Sequence, residues 1–410
     1  MRKFVVLLGD GMADYPIAEL DGKTPLQAAH IPNLNLLARK GTLGLVRTVP
    51  EGFPPGSDVA NLSVFGYDPA LYYTGRAPLE AASMGIKIGS RDVAFRCNLI
   101  TLSLKEGRAF MEDFSAGHIS TEEAKKIIDD VGKALDSQDF NFYPGVSYRH
   151  LLVWRNGEKS LSLKTIPPHD ITGQDVAAHL PAGEGRQEII RLMESAKEIL
   201  KDHPVNRARQ QAGKRPATSI WLWGQGKAPA LPPLTERFGI RGSMISAVDL
   251  MKGIGFYAGL EIINVPGVTG YLDTNYAGKA EYALREASRK DFVYVHLEAP
   301  DEAAHGGNLK DKIQAIEDFD ARIVGPILQG LERYDDFRLM VLPDHPTPIA
   351  VKTHTPEPVP FVIYTSEDAR KSLRKDRTFD EDSAQKSGLF VERGHELMER
   401  FIKGLIGTGP

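Results

Sequence analysis

Four stretches of the chain are short, unbroken runs of aliphatic and aromatic residues that stop at polar or Gly/Pro-containing sequence: FVVLLGDG from Phe4, FVYVHLEAPDEAAH from Phe292, FRLMVLPDH from Phe337 and VPFVIYT from Val359. A strand with one wet face alternates apolar and polar residues, whereas a strand covered on both faces does not, so these runs predict strands of a parallel sheet packed between helices. The first three end in a carboxylate. Between the runs, GKAEYALREASRK and LKDKIQAIEDFDARIVGPILQGLERY carry apolar residues at three- and four-residue spacing, the period of an amphipathic helix. This alternation predicts an α/β core, a mostly parallel sheet flanked by helices, with ligands gathering at the carboxyl ends of the strands.

From Ala77 to Pro266 the texture changes. Strand-like pieces, DVAFRCNLITLSL and YRHLLVWR, are separated by loops rich in Pro, His and Arg such as KTIPPHDITG and AGKRPATSIWLWGQGKAPALPP. The candidate acids lie before and after this stretch. Residues 77–266 are therefore expected to form a smaller α/β domain inserted into a core built from 1–76 and 267–410. There is no repeat at solenoid periods and no low-complexity tract. KGIGFYAG follows no clear strand, which argues against a dinucleotide fingerprint, and WLWGQGKAP has Trp221 and Ala228 where a P-loop needs Gly and Ser/Thr.

Composition narrows the function. Fifty Lys+Arg against 54 Asp+Glu give a net charge of −4, which points away from nucleic acid or an anionic membrane and towards a small-molecule partner. The single cysteine, Cys97, cannot form an internal disulfide, and the apolar stretch in MRKFVVLLGDG is too short for a signal peptide or a membrane span, so a cytoplasmic protein is expected.

The strand ends carry the chemistry. Asp301 and His305 in APDEAAHGG are spaced to share one helical face, where a carboxylate and an imidazole can hold one cation, although a capping Asp with a surface His has the same spacing. Asp10 sits between two glycines after the first run. Asp344 and His345 are adjacent, so from an extended strand end they are expected to point apart and serve two different ions. His354 lies in the proline-punctuated loop THTPEP. Three aspartates and three histidines on the loops of one sheet make a mixed N/O donor set suited to Zn²⁺ or Mn²⁺. Ser57 in PPGSDVANLS precedes a helix-like segment, whose N-terminus favours a phosphate and would place the serine hydroxyl as a nucleophile.

With Asp10, Ser57, Asp301, His305, Asp344, His345 and His354 in this order, and with GYDPALYYTGRAPLEAASMGI and TGYLDTNYAGKAEYAL between them, the chain resembles the archaeal-type branch of the cofactor-independent phosphoglycerate mutases, within the alkaline phosphatase superfamily. The resemblance spans nearly the whole chain. It implies an alkaline phosphatase-like core interrupted by a substrate-gripping domain, and two divalent metal ions (Mn, Zn, Co or Mg). One ion would be held by Asp301, His305 and His354, the other by Asp10, Ser57, Asp344 and His345. Ser57 would be the nucleophile, Lys279 would assist at the phosphoryl group and bind substrate, and Arg76 and Arg91 are anion binders by motif neighbourhood. The implied reaction interconverts 3-phosphoglycerate and 2-phosphoglycerate through phosphoserine; oligomeric state stays open. One departure is Asn61, where members of the branch often carry His. GSDVANLS and FRCNLITLS resemble a bacterial subgroup proposed to be homoserine kinases, which keeps a kinase or phosphatase acceptor as the alternative.

Overall fold

A computed structural model describes residues 2–405. Contacts divide the chain into two compact units: one comprises the residues up to Tyr73 together with those from Ala230 onward, the other Thr74–Pro229.

The first unit is built on an eight-stranded sheet. Its strands lie in the order Phe390–Val391, Thr42–Val46, Val359–Thr365, Phe337–Leu342, Lys3–Gly9, Phe292–Leu297, Gly242–Ile245 and Glu261–Ile262. Only Val359–Thr365 opposes the common direction, being antiparallel to both its neighbours. All four expected strands are present and adjacent, with Lys3–Gly9 at the centre. Every residue of that central strand is buried, and so is every residue of Phe292–Leu297, which explains the unbroken apolar runs. On one face, Val5, Leu7, Val293, Val295, Leu339 and Val341 pack against Ala280 and Ala283 of the helix Tyr276–Arg289 and against Ile316 and Phe319. Each such side chain contributes about 1.5–3 kcal/mol of burial free energy.

The long amphipathic stretch expected around residue 320 is helical from Leu309 to Leu331, interrupted by a π turn over Asp320–Val324. Pro326 has no N–H to give the preceding turn, and the widened turn comes just before it. Buried Asp320 faces outward from this helix to cap another: its carboxylate accepts the N–H groups of Asn33 (3.2 Å) and Leu34 (2.7 Å) at the start of Pro32–Lys40.

The second unit carries an antiparallel sheet. Val93–Lys105 pairs with Arg108–Asp113, Arg149–Trp154 and Ser219–Gly226, and Phe140–Tyr143 joins beyond Arg149–Trp154. The helices Thr121–Leu135 and Arg186–Lys201 help close its core around Phe95, Cys97, Leu99 and Trp221.

Two boundaries differ from the sequence reading. The second unit begins at Thr74 instead of Ala77, and it ends at Pro229, not Pro266. Residues 230–266 belong to the first unit because Gly242–Ile245 pairs in parallel with Phe292–Leu297 and Glu261–Ile262 extends the same sheet. KGIGFYAG accordingly lies in a helix of the first unit, Asp249–Tyr257. The stretch containing WLWGQG, read as loop, is the strand Ser219–Gly226.

Candidate functional site

The three central strands end side by side, and the acids that follow them meet. Asp10 comes directly after Lys3–Gly9, Asp344 two residues after Phe337–Leu342, and Asp301 in the short helix Ala299–His305 that follows Phe292–Leu297. Gly11, with φ of +61°, makes the approach possible: a Cβ there would lie 2.6 Å from both Asp301 Oδ1 and Thr347 Oγ1. Its N–H donates to Asp344 Oδ1 at 3.2 Å.

Two donor groups form. Asp10, Asp344 and His345, all buried, bring one ligand atom each within 4.8 Å of one another, as do Asp301, His345 and His354. His345 Nε2 lies 3.3 Å from Asp344 Oδ2, 3.6 Å from Asp10 Oδ1 and 3.1 Å from Ser57 Oγ. In the other group, His305 Nε2 is 3.2 Å from Asp301 Oδ2 and 3.0 Å from His354 Nε2, and His354 Nε2 is 3.5 Å from Asp301 Oδ1. Asp301 and His305 share a helical face as their spacing requires. Asp344 and His345 do not diverge as expected; the strand stops at Leu342, and on the bend beyond it both side chains turn to the same place.

The outer hydrogen bonds decide where the imidazole lone pairs point. His305 Nδ1 lies 2.9 Å from the Lys352 carbonyl, which can only accept, so Nδ1 carries a proton and Nε2, facing Asp301 and His354, is the nitrogen left to take either a second proton or a cation. The Thr347 hydroxyl donates to Asp301 Oδ1, leaving its oxygen to accept from His345 Nδ1 at 3.2 Å. His345 Nε2 therefore also aims a lone pair at two carboxylate oxygens. Asp10 Oδ1 is buried without a hydrogen-bond donor. Acceptors facing acceptors in a buried pocket repel unless a proton or a metal cation sits between them, and this donor set fits divalent ions that take N and O ligands.

Electrostatics agree. Burial, then the neighbouring Asp344 and Asp301, push the Asp10 carboxyl well above its usual range. Burial works against the His305 imidazolium, but the hydrogen bond to Asp301 outweighs it and raises the group to about 9. Burial likewise works against ionised Asp301, yet hydrogen bonds from His305 and His354 hold it well below the usual carboxylate range. The pocket attracts positive charge.

Ser57 opens the helix Ser57–Val64, with Gly56 in the cap position. Asn61, one turn on, donates from Nδ2 to Asp344 Oδ2 (2.8 Å) and to the Ser57 carbonyl (2.9 Å), and its Oδ1 accepts the Tyr294 hydroxyl (2.8 Å). Its amide thus holds the Asp344 carboxylate in place, a task that needs no titrating proton.

Lys279 is buried outside this donor set. Its Nζ donates to the His296 carbonyl at 2.7 Å, and burial pulls it down to about 8 despite nearby Glu298. Arg76 and Arg91 are in the second unit. Arg76 Nε pairs with Glu80 at 3.2 Å, while Arg91 is exposed on the turn before Val93–Lys105. The sequence reading missed Arg96, whose buried guanidinium pairs with the same Glu80 (3.1 Å) and stacks 4.3 Å from the Trp223 ring. Burial, with Arg76 and Arg149 close by, lowers it to about 10. It also missed His296, Thr347 and Lys312. The signal for His296 was present, as an imidazole inside an otherwise apolar strand. Lys312 Nζ, fully buried, donates to Asp14 Oδ2 (2.8 Å), Ala13 O (3.2 Å) and Thr347 O (2.9 Å), tying two ligand loops together.

A mostly parallel α/β sheet with paired carboxylate–imidazole groups and a serine at its strand ends is an arrangement that can hold divalent cations beside a hydroxyl. Comparison with known proteins narrows this. A family model described as 2,3-bisphosphoglycerate-independent phosphoglycerate mutase matches residues 38–206. A probable 2,3-bisphosphoglycerate-independent phosphoglycerate mutase of Geobacter sulfurreducens is 56% identical over 98% of this chain and 99% of its own. The 2,3-bisphosphoglycerate-independent phosphoglycerate mutase of Methanosarcina acetivorans is 53% identical over 98% and 100%. Among solved structures, a Pyrococcus horikoshii protein superposes with a TM-score of 0.81 at 30% identity, covering 100% of this chain and 99% of that one. The cofactor-independent phosphoglycerate mutase of Thermoplasma acidophilum gives 0.66 at 29% identity, covering 98% and 99%. The chain belongs to the 2,3-bisphosphoglycerate-independent phosphoglycerate mutase family. No helix among the described residues is long and apolar enough to cross a membrane.

Proposed function

We propose that this chain interconverts 3-phosphoglycerate and 2-phosphoglycerate by passing the phosphoryl group through Ser57. The observation that carries the reading is the serine oxygen 3.1 Å from His345 Nε2, beside buried carboxylates whose lone pairs converge. Asp10, Ser57, Asp344 and His345 are assigned to one divalent ion, and Asp301, His305 and His354 to the other. When bound, such ions supply Lewis acidity, lowering the pKa of a ligating hydroxyl and neutralising charge on a transferring phosphoryl group.

In the forward direction Ser57 Oγ attacks phosphorus, the bond to the substrate's 3-oxygen breaks, and the proton that left Ser57 ends on that oxygen. The glycerate 2-hydroxyl then attacks phosphoserine, and its proton returns to Ser57, so the cycle is proton-neutral and needs no bisphosphoglycerate. Lys279 is assigned to charge neutralisation at the phosphoryl group. Arg76, Arg91 and, by its place beside Arg76, Arg96 are assigned to the substrate anion. The second unit is the proposed substrate-binding domain, and a cytoplasmic enzyme acting on a small phosphorylated substrate is the reading as a whole.

The test is enolase-coupled formation of 2-phosphoglycerate from 3-phosphoglycerate with Mn²⁺ and no bisphosphoglycerate. Turnover that is lost in Ser57→Ala is the expected result. No turnover, together with phosphate transfer from ATP to homoserine, would overturn the mutase assignment.

A further inference from the structure

Asp10 reaches the cluster through one oxygen only. Its Oδ2 is engaged at 2.9 Å by Nε2 of His296, a fully buried residue of the strand Phe292–Leu297, while Oδ1 is left without a donor and faces His345. The register explains the meeting: Leu8 pairs with His296, so the side chain of His296 stands beside the residue that follows the end of Lys3–Gly9.

The far side of the ring is also fixed. Ser246 Oγ lies 3.2 Å from His296 Nδ1 and accepts the Val248 N–H at 3.0 Å. When the ring proton sits on Nε2, Nδ1 is bare and accepts the serine hydroxyl. With a divalent cation on Oδ1 the Asp10 carboxylate is ionised and Oδ2 can only accept, so in that state Nε2 carries the ring proton. The Lys279 ammonium on the His296 carbonyl anchors the same residue through its backbone.

We infer that Ser246 and His296 form a positioning relay that clamps Asp10 Oδ2 and thereby presents Oδ1 alone to a divalent cation. The inference rests on the metal reading above. Without the relay, Asp10 is free to rotate about its terminal bond, and the buried oxygen loses its fixed direction. Outer-sphere partners of this kind typically change metal affinity by about 10–100-fold when removed.

The experiment is Mn²⁺ titration of chelator-stripped protein, followed by calorimetry and by the electron paramagnetic resonance of free Mn²⁺, on wild type, His296→Leu, His296→Gln and Ser246→Ala. Glutamine keeps a donor near the position of Nε2. The expected result is about 10–100-fold weaker binding of one of two ions in His296→Leu, a smaller weakening in Ser246→Ala, and affinity recovered in His296→Gln. The Ser246→Ala variant removes one hydroxyl, so it keeps the inference testable if His296→Leu does not fold. Wild-type affinity in Ser246→Ala and His296→Gln, with folded His296→Leu also unchanged, would overturn the relay. Failure of the wild type to bind Mn²⁺ would instead overturn the metal reading on which it stands.

Discussion

Replacing Asn61 by Ala gives a quantitative check on the site, because its amide serves three partners and none of the side chains involved reaches solvent. Asn61, Tyr294 and Asp344 are each fully buried, so solvent screening does not reduce the cost. The substitution strands the Tyr294 hydroxyl, worth about 1–3 kcal/mol, and removes a bond to the Asp344 carboxylate, worth about 1.5–3 kcal/mol. Some of this is recovered if water enters the space left, so a loss of about 3 kcal/mol is expected. At about 2–4 °C per kcal/mol for a unit of this size, the melting temperature should fall by roughly 6–12 °C. The assay is thermal unfolding in chelator, which removes any contribution from bound cation, with hydrogen exchange of Lys3–Gly9 reporting the first unit separately from the second. Tyr294→Phe breaks the same hydroxyl bond from the other end. The double variant should therefore cost about 1–2 kcal/mol less than the sum of the singles. Additivity within about 0.5 kcal/mol, or an Asn61→Ala cost below about 1 kcal/mol, would refute the network.

Ser57→Ala should abolish mutase turnover in the coupled assay while leaving thermal stability within about 0.5 kcal/mol of wild type, since little buried area is lost. Chelation should remove activity, and Mn²⁺ should restore it; full activity in chelator would sink the proposed metal role. Lys312→Met leaves Asp14 buried without its cation, with the Tyr15 and Ile349 N–H groups left on its carboxylate, and should destabilise by about 3–5 kcal/mol, whereas Asp14→Asn combined with Lys312→Met should recover much of that in a denaturant titration. Glu381, which accepts the Asp14 N–H at 3.1 Å and the Thr24 hydroxyl at 2.7 Å, is raised by burial to about 7. Its folded pKa lies above its unfolded value, so the folded state binds the proton more tightly, and stability falls as pH rises from about 4.5 through 7. Glu381→Gln should remove a pH-dependent loss of order 2 kcal/mol across that window, read from melting temperatures at pH 5 and 8. An identical pH slope in both proteins would refute the assignment.

The parts of the fold visible in the sequence were those where both faces of a strand are buried, because there burial leaves no polar positions to confuse the pattern. Gly242–Ile245 escaped because its four residues, GSMI, carry no such run; pairing with Phe292–Leu297 is what makes them a strand. That omission moved the expected domain boundary by more than one element. The three aspartates and three histidines of the cluster were visible because carboxylates and imidazoles at strand-end loops are conspicuous by chemistry. Their partners were not. Thr347 and Lys312 are ordinary residue types, and only the bends after Asp10 and Asp344 bring them beneath the cluster. The role of Asn61 required knowing that Tyr294, 233 positions later, stands opposite its amide.

The position of Lys3–Gly9 in the middle of the sheet has a consequence for how the protein is made. Both of its neighbours, Phe292–Leu297 and Phe337–Leu342, come far later in the chain. At about 5–20 residues per second, translation leaves this apolar segment without a partner for roughly 15–60 s. Thr74–Pro229, which is continuous in sequence, emerges complete within that interval. The ribosome therefore delivers a finished second unit attached to an unsheltered first strand, and the nascent chain has its greatest need of a chaperone before residue 297 appears.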